Sequence, residues 1–101
     1  MYIFSIQRSI KLDFEYDENK SKINKLKHNI DFAEAKLLWN DKKAIVVPAN
    51  IADNEIRYAM ISKLNTKCYV AIFTIRNDNY RIISVRRCRK NEEKDYANNN
   101  S

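Results

Sequence analysis

The sequence predicts an α+β domain in which two N-terminal helices pack on one face of a small antiparallel sheet, followed by a short C-terminal helix. Apolar residues recur at helical spacing before residue 40 and alternate at strand spacing after residue 42, and clusters of Asn and Asp separate the strands. A chain of 101 residues is long enough for one hydrophobic core and too short for two. We therefore expect a single domain over residues 1–101, with a leader over residues 1–12 whose structure the sequence leaves open and a frayed tail over residues 97–101.

Composition excludes several classes of protein. An apolar fraction of 45% is too high for a disordered chain, and no apolar run approaches the length of a membrane span. The first residues lack the basic start, continuous apolar stretch and cleavage site of a secretory signal, so we expect a cytoplasmic protein without membrane contact. Cys68 and Cys88 are too few for a zinc site. In a reducing compartment we expect them to be free thiols, although the hairpin predicted below places them opposite each other.

The first helix is predicted over residues 18–28. Asp17 suits its N-cap, and Asn29 suits a left-handed C-cap. The apolar stripe predicted to face the core consists of Ile23, Leu26 and Ile30. The other side of the helix places four polar residues in one sector of the surface, at mutual spacings of three, four and seven: Lys20, Asn24, Lys27 and His28.

A second helix is predicted to begin after Asp31 and to end near Asn40. Asp31 and Glu34 have the spacing of a capping box, in which each side chain accepts a hydrogen bond from the backbone of the other residue. The residues at helical spacing that should face the core are Phe32, Ala35, Leu38 and Trp39. We interpret Trp39 as a core residue rather than a surface on which a base stacks.

Strand patterns follow over residues 43–48, 55–64, 67–76 and 80–87, and a short helix is predicted to begin near residue 91. Pro48 can end the first strand or lie at an edge of the sheet, and residues 49–54 are predicted to be a turn or loop. The chain contains no glycine, so the left-handed positions of its turns must fall to Asn or Asp.

The last two strands are predicted to form a hairpin around a loop at residues 77–79. If Arg76 pairs with Tyr80, one face of the hairpin is apolar and belongs to the core; its residues are Ala71, Phe73, Ile75, Ile83 and Val85. The opposite face carries Ile72, Thr74, Arg76, Ile82, Ser84 and Arg86, and Arg57 of the preceding strand is a candidate for the same face. The sequence therefore predicts a shallow basic surface on the side of the sheet away from the helices.

The charge of the chain is consistent with a polyanionic partner. The formal net charge is +6 at pH 7, and basic residues far outnumber acidic ones between residues 76 and 90. A clustered basic surface gains free energy by neutralising phosphates and releasing their counterions. The alternative is an ordinary solvated rim of charge, and net charge alone does not separate the two.

Several short motifs in this chain occur together in a known family: FEYD at 14–17 with Lys20 and Asn24, Lys27-His28, Ile30-Asp31-Phe32 with Ala35, Arg57-Tyr58, Phe73-Thr74 with Arg76, and RIIS at 81–84 with Arg86. On these motifs the chain resembles the BrnT toxins of bacterial type II toxin–antitoxin systems, which are relatives of the RelE-like ribonucleases. The resemblance covers residues 13–96. It implies a RelE-like α+β fold.

The resemblance also implies an activity and partners. A BrnT toxin is expected to be an endoribonuclease that cuts RNA without metal or organic cofactor and thereby stops translation. Its expected partner is a BrnA-like antitoxin encoded beside it, which carries a ribbon-helix-helix DNA-binding part. Operator DNA would then be bound only through the toxin–antitoxin complex.

Metal-independent RNA cleavage needs a base for the 2'-hydroxyl, positive charge for the phosphate and an acid for the leaving 5'-oxygen. Arginine suits the second task because its planar fork holds two phosphate oxygens. The predicted catalytic residues are the clamp Arg57, Arg76 and Arg86, with His28 as acid or base and Lys27 as its substitute. His28 is chosen because it is the only histidine and imidazole exchanges protons near neutral pH. The predicted RNA-binding residues are Lys20, Asn24, Arg81, Arg87 and Tyr96.

Alternatives remain open for these residues and for the function. His28 could instead be a cation that stabilises the C-terminus of its helix, Arg57 could pair with Glu55 or Glu15, and Tyr96 could cap the sheet. The alternative function is a non-catalytic RNA-binding or ribosome-binding module in which the same arginines only hold phosphates. A third hypothesis is an interaction domain whose basic face binds an acidic protein.

Overall fold

A five-stranded sheet and three α-helices form the part of the chain that the computed structural model describes, residues 13–100. The elements are β1 (Phe14–Glu15), α1 (Glu18–His28), α2 (Phe32–Ala35), a 3-10 helix (Lys36–Asn40), β2 (Ile45–Ala52), β3 (Glu55–Leu64), β4 (Lys67–Arg76), β5 (Asn79–Arg87) and α3 (Lys90–Asn99). The predicted α+β class is confirmed. The predictions for the leader, residues 1–12, and for residue 101 lie outside the described residues.

The second helix and the first long strand differ from their predicted lengths. The second helix is α-helical only for Phe32–Ala35, after its Asp31–Glu34 capping box, and then tightens into the 3-10 helix. The first long strand is longer than predicted, because β2 passes through Pro48 and ends at Ala52. Pro48 is tolerated because β2 is an edge strand and its pairing with β3 shifts register between Pro48 and Asn50.

The sheet has the strand order β1-β5-β4-β3-β2, with β1 parallel to β5 and all other neighbours antiparallel. The predicted hairpin register is correct at Ala71, which pairs with Val85. It is wrong by one residue nearer the turn, where Phe73 pairs with Ile82 and Arg76 with Asn79. A bulge at Ile83 absorbs the difference. As a result, Ile82 and not Ile83 enters the core.

Three two-residue turns join the long strands, and both residues of each turn have positive φ. The turns are Asp53-Asn54, Asn65-Thr66 and Asn77-Asp78. The prediction that Asn and Asp replace glycine is therefore confirmed at all but one of these positions. Thr66, with φ 68°, is the exception, and a β-branched residue in this region is strained.

The helix-covered face of the sheet holds the larger core. Phe32, Ala35, Leu38 and Trp39 are buried there as predicted, against Met60, Ala71, Phe73 and Val85. Ile75, which was predicted to join them, is 40% exposed near the end of β4.

Helix α1 begins at the predicted Asp17 cap and ends at Asn29, but its inward face differs from the prediction. The buried residues are polar, Ser21 and Asn24, while Ile23 and Leu26 are 50% and 87% exposed. The reason is hydrogen bonding along an open edge. The Asn24 amide donates to the carbonyl oxygens of Ile30 and Val85 and accepts from the Val85 N–H, which lies beyond the short β1–β5 pairing.

The opposite face of the sheet is not fully open, which corrects the predicted basic surface. Helix α3 is longer than expected and covers one end of that face with Tyr96, which is 7% exposed and packs with Ile45, Ile61 and Val70. The Tyr96 hydroxyl donates to Asp41 at 2.7 Å, and burial together with this bond raises the pKa of Tyr96 to about 12. The basic surface is therefore confined to the other end of this face.

The two cysteines, predicted to be free thiols, form a disulfide. Cys68 at the start of β4 and Cys88 just after β5 have Cα atoms 5.3 Å apart, and the Cys88 N–H donates to the Cys68 carbonyl at 2.9 Å. The register that placed them opposite each other is correct here. The expectation failed because it was based on the compartment and not on the geometry.

Candidate nucleic-acid interface

Three arginines from three neighbouring strands lie on the uncovered end of the opposite face. Arg81 of β5 pairs across the sheet with Thr74 of β4, and Arg57 of β3 lies one residue beyond the Tyr58–Phe73 pair, beside Thr74. Strands are about 4.8 Å apart, so the backbones of Arg57 and Arg81 are about 10 Å apart. Arg76 follows Thr74 by two residues on the same face. We call Arg57, Arg76 and Arg81 the arginine cluster.

Two glutamates hold the cluster in place. Arg76 donates to Glu55 through Nε at 2.9 Å and Nη2 at 2.7 Å, and Arg81 donates through Nη1 to Glu15 at 3.0 Å. The hydrogen bond from Arg76 lowers the pKa of Glu55, and the positive charges of Arg57 and Arg81 add to the effect. Glu55 is therefore ionised at neutral pH and lies within the field of all three guanidinium groups.

Arg57 differs from the other two because no carboxylate within residues 13–100 pairs with it. Its Nε is buried, and among the described residues no protein group accepts a hydrogen bond from it. The predicted alternative, that Arg57 pairs with Glu55 or Glu15, is not what the structure shows, since Arg76 and Arg81 take those partners. A buried donor without an acceptor costs about 1–3 kcal/mol, so a shift of the Arg57 side chain that brought this nitrogen to an anion or water would be favoured.

Arg86, the third member of the predicted clamp, lies on the same face but apart from the cluster. Arg86 of β5 pairs with Val70 of β4, and Val70 pairs with Ile61 of β3. Ile61 is four residues from Arg57 on β3, so Arg86 lies about 13 Å from Arg57 along the strand direction. Both Nη atoms of Arg86 donate to Glu92 of α3 at 2.8 Å. This bond raises the pKa of Arg86 and lowers that of Glu92 from 4.5 to about 2. Arg86 thus fastens α3 to the sheet, and Arg81 takes its place in the cluster.

The predicted residues of α1 have two different environments. Lys20, Lys27 and His28 are exposed, and none of the hydrogen bonds or ion pairs within residues 13–100 links them to the arginine cluster. Asn24 is buried, and its amide is occupied by backbone groups of Ile30 and Val85. Asn24 therefore holds α1 on the edge of β5, and both donors of its amide are used there.

Two further predicted RNA-binding residues also have structural contacts. Arg87 lies over the Tyr69 ring, 5.6 Å from its centroid, and donates to the Cys68 carbonyl, on the side of the sheet away from the cluster. Tyr96 is buried under α3 with its hydroxyl on Asp41. In this arrangement neither side chain belongs to the basic surface.

Glu55 and Glu15 are the members of the site that sequence reasoning did not select. From the sequence, each of them is expected only as an alternative partner of Arg57. The available signal was their position, since Glu55 begins a strand and Glu15 ends one, both beside strands rich in arginine. Alternation along one strand does not show which carboxylate meets which arginine across the sheet.

No group of three or more His, Cys, Asp or Glu side chains within residues 13–100 is arranged to hold a metal ion. None of the helices in that range has the length and apolar character needed to cross a bilayer.

The fold and the cluster together describe a small basic α+β protein whose arginines form a surface suited to phosphate groups. A family model described as the ribonuclease toxin BrnT of type II toxin–antitoxin systems matches residues 16–92. The chain belongs to this family of ribonuclease toxins, and the resemblance noted in its motifs is confirmed. A search of curated proteins returned no match. Membership implies an RNA substrate and an antitoxin partner.

Proposed function

We propose that the protein is an endoribonuclease that cleaves single-stranded RNA in the cytoplasm without a metal ion and so inhibits translation. Family membership supports the ribonuclease activity. Its partner would be a BrnA-like antitoxin with a ribbon-helix-helix part, through which the complex would bind operator DNA. The five-stranded sheet would be a variant of the RelE-like fold. A shallow surface favours single strands, because their unstacked bases and backbone are accessible to it.

The observation that carries the proposal is the arginine cluster with the unpaired Nε of Arg57. Cleavage by the 2'-oxygen places a second negative charge on the phosphate as the five-coordinate state forms. Guanidinium groups that are already in position stabilise this charge without reorganisation. Arg57 would contact the phosphate first because no carboxylate in the described part of the chain competes for it, and Arg76 and Arg81 would exchange part of their glutamate contacts for phosphate oxygens.

Glu55 is the base that this geometry favours. Its carboxylate lies among the arginines and is ionised, whereas His28 has no described contact with them. In the proposed step the Glu55 carboxylate accepts the 2'-hydroxyl proton, the 2'-oxygen bonds to phosphorus, and the phosphorus–5'-oxygen bond breaks. The 5'-oxygen takes a proton from a water molecule, and the hydroxide so formed takes the proton held by Glu55, which restores the carboxylate. The products are a 2',3'-cyclic phosphate and a 5'-hydroxyl. That His28 acts as acid or base stays a prediction, and the rate at which the His28→Ala protein cleaves RNA tests it.

Cleavage of a fluorescently labelled single-stranded RNA in EDTA tests the proposal. We expect the wild-type protein to cut it and Arg57→Ala to cut at least about 100-fold more slowly, as when one preorganised donor to a developing charge is removed. Lys67→Ala is the matched control, because Lys67 is exposed and begins β4 at the end far from Arg76. It removes one positive charge without touching the cluster and should cut as wild type does.

Two outcomes would overturn the proposal. If wild-type protein binds the RNA with salt-dependent affinity but leaves it intact in both EDTA and magnesium, the protein is a binding module. If cleavage appears only with magnesium, the mechanism is metal-dependent. Equal losses in Arg57→Ala and Lys67→Ala would show that general charge and not the cluster matters.

A further inference from the structure

Helix α1 presents apolar side chains to solvent, which is the reverse of an ordinary amphipathic helix. Leu26 is 87% exposed and Ile23 is 50% exposed, and their spacing of three residues makes them neighbours on one side. The side toward the sheet is polar and satisfied, since Ser21 accepts a hydrogen bond from the Phe32 N–H and Asn24 binds Val85. Burial of Ile23 and Leu26 therefore contributes little to this fold.

Lysines flank this apolar pair on both sides. At 100° per residue, Lys22 lies on one side of Leu26, while Lys20 and Lys27 lie beyond Ile23 on the other. All three are exposed, and within the described residues none of them forms an ion pair. Lys25 is different because it is directed to α2, where it pairs with Glu34 at 2.8 Å. We call Lys20, Lys22, Ile23, Leu26 and Lys27 the α1 ridge.

We propose that the α1 ridge is a docking surface for the antitoxin, and that it receives an amphipathic segment whose apolar side chains cover Ile23 and Leu26 and whose carboxylates pair with the lysines. Charge complementarity selects this occupant. The three lysines form no ion pair within residues 13–100 and can pair with carboxylates, and an apolar centre with a charged rim is the usual anatomy of a protein interface.

Other occupants fit the ridge less well. RNA would satisfy the lysines, but its phosphates would leave Leu26 uncovered at the centre. A bilayer would bury only two apolar side chains of this helix, which is too few for stable attachment. A second copy of the chain would bring lysines against lysines.

The position of the ridge has a consequence for neutralisation. Lys27 is in the last turn of α1 and lies next to Ile23 around the helix, so a segment lying along Ile23 and Leu26 would also cover it, whereas His28 lies on the opposite side of the helix. The arginine cluster is on the far side of the sheet from the helix-covered core and would stay outside this contact. The inference rests on the antitoxin partner that the family implies and not on the cleavage mechanism of the proposed function.

Titration with the purified antitoxin from the neighbouring reading frame tests the ridge, using Leu26→Glu and, as matched control, Ile51→Glu. Both replace an exposed apolar residue by the same acid, and Ile51 is 73% exposed on β2. We expect Leu26→Glu to weaken binding at least about 30-fold, because it places a carboxylate at the centre of an acidic contact. Lys22→Glu should weaken it about tenfold, with a reduced dependence on salt. Ile51→Glu should bind as wild type does.

Circular dichroism and RNA cleavage by the free variants complete the test. We expect the Leu26→Glu protein to keep its fold, because the side chain is exposed, and to cleave RNA at the wild-type rate. Wild-type affinity of Leu26→Glu for the antitoxin would overturn the inference, as would an equal loss in Ile51→Glu. A loss of RNA binding with unchanged antitoxin binding would assign the ridge to RNA instead. Failure of the wild-type protein to cleave RNA would count against the proposed function only. The antitoxin titration would still decide whether the α1 ridge is the docking surface.

Discussion

Two arginine–glutamate pairs on the same face of the sheet have nearly the same bonding and different surroundings. Arg76 and Glu55 are joined by two bonds of 2.9 and 2.7 Å, and Arg86 and Glu92 by two bonds of 2.8 Å. The side chains of the first pair are 43% and 30% exposed, and those of the second are 28% and 16% exposed. The difference in function between them must come from what else each carboxylate contacts.

Glu92 serves the fold, because its carboxylate also accepts the Arg89 N–H at 2.7 Å at the start of α3. One side chain thus caps the helix and fastens it to β5. Glu55 is one residue past a turn, beside Arg57 with its unpaired nitrogen, and it holds no helix. Ion pairs of nearly the same geometry can therefore hold a helix in one place and hold none in another, and ion-pair geometry alone does not identify a site.

The largest expected effect on stability is at the α3 end, where the disulfide adds a covalent clamp. Cys88 follows Arg86 by two residues, and the bond to Cys68 closes a loop with a sequence separation of 20. We expect reduction by dithiothreitol to lower the free energy of unfolding by about 3 kcal/mol, because a loop of this length restricts the unfolded chain. Urea denaturation is the measurement. The Cys68→Ala/Cys88→Ala protein should resemble the reduced wild type and should not respond to dithiothreitol. Equal stability with and without reductant would contradict this.

Glu92→Gln should produce the next largest effect. We expect a loss of about 1.5 kcal/mol at pH 7, since the pair is only partly screened from water and the cap is kept in part by the amide. Because the pKa of Glu92 is about 2 in the folded protein, below its ordinary value of 4.5, its contribution is present above pH 4.5 and is lost as the pH falls toward 2. The difference between wild type and Glu92→Gln in urea denaturation should therefore shrink over this interval.

Glu93→Gln is the matched control for that measurement. Glu93 is adjacent in the first turn of α3 and exposed, and it has no ion pair among the described residues. It should lose less than about 0.5 kcal/mol, the size of a helix-dipole contribution at an exposed site. If Glu92→Gln and Glu93→Gln were equally destabilised at pH 7, the Arg86 contact would not be the clamp described here.

Sequence patterns predicted most of the fold because its local signals are unambiguous. The caps at Asp17 and Asp31 and the bounds of α1, β3 and β4 follow from side chains that lie within a few residues of the feature they determine. The inward face of α1 was mispredicted because hydrophobic periodicity assumes that a helix buries its apolar side. The open edge of β5 offers unpaired backbone groups instead, and Asn24 satisfies them across a sequence separation of 61.

The sequence predicted the candidate site only in part, because strand alternation shows which face a residue occupies but not what it contacts. Alternation placed Arg57, Arg76 and Arg86 on one face, which the structure bears out. It did not show that α3 folds back and engages Arg86 through Glu92, because that contact depends on the direction of the chain after β5. The disulfide was missed although the hairpin register placed Cys68 opposite Cys88. The expectation of a reducing compartment was given more weight than the register.

Glu55→Gln should have the smallest effect on stability and the clearest effect on function. We expect a change below about 0.5 kcal/mol in the free energy of unfolding, because the pair with Arg76 is exposed. Removing this carboxylate frees Arg76 for phosphate, so affinity for a non-cleavable 2'-deoxy oligonucleotide should rise about threefold, with a salt slope steeper by about one. Cleavage of the matching RNA should fall at least about 100-fold, because the proposed base is gone.

Glu15→Gln is the control for this variant, since Glu15 pairs with Arg81 at similar exposure but is not the proposed base. It should also bind the deoxy oligonucleotide more tightly, yet it should keep cleavage within about threefold of wild type, because only a charge-pairing contact is removed. If both variants lost cleavage equally, the two glutamates would act only by holding the arginines in place. If Glu55→Gln destabilised the protein as much as Glu92→Gln, the contrast between an exchangeable pair and a structural clamp would fail.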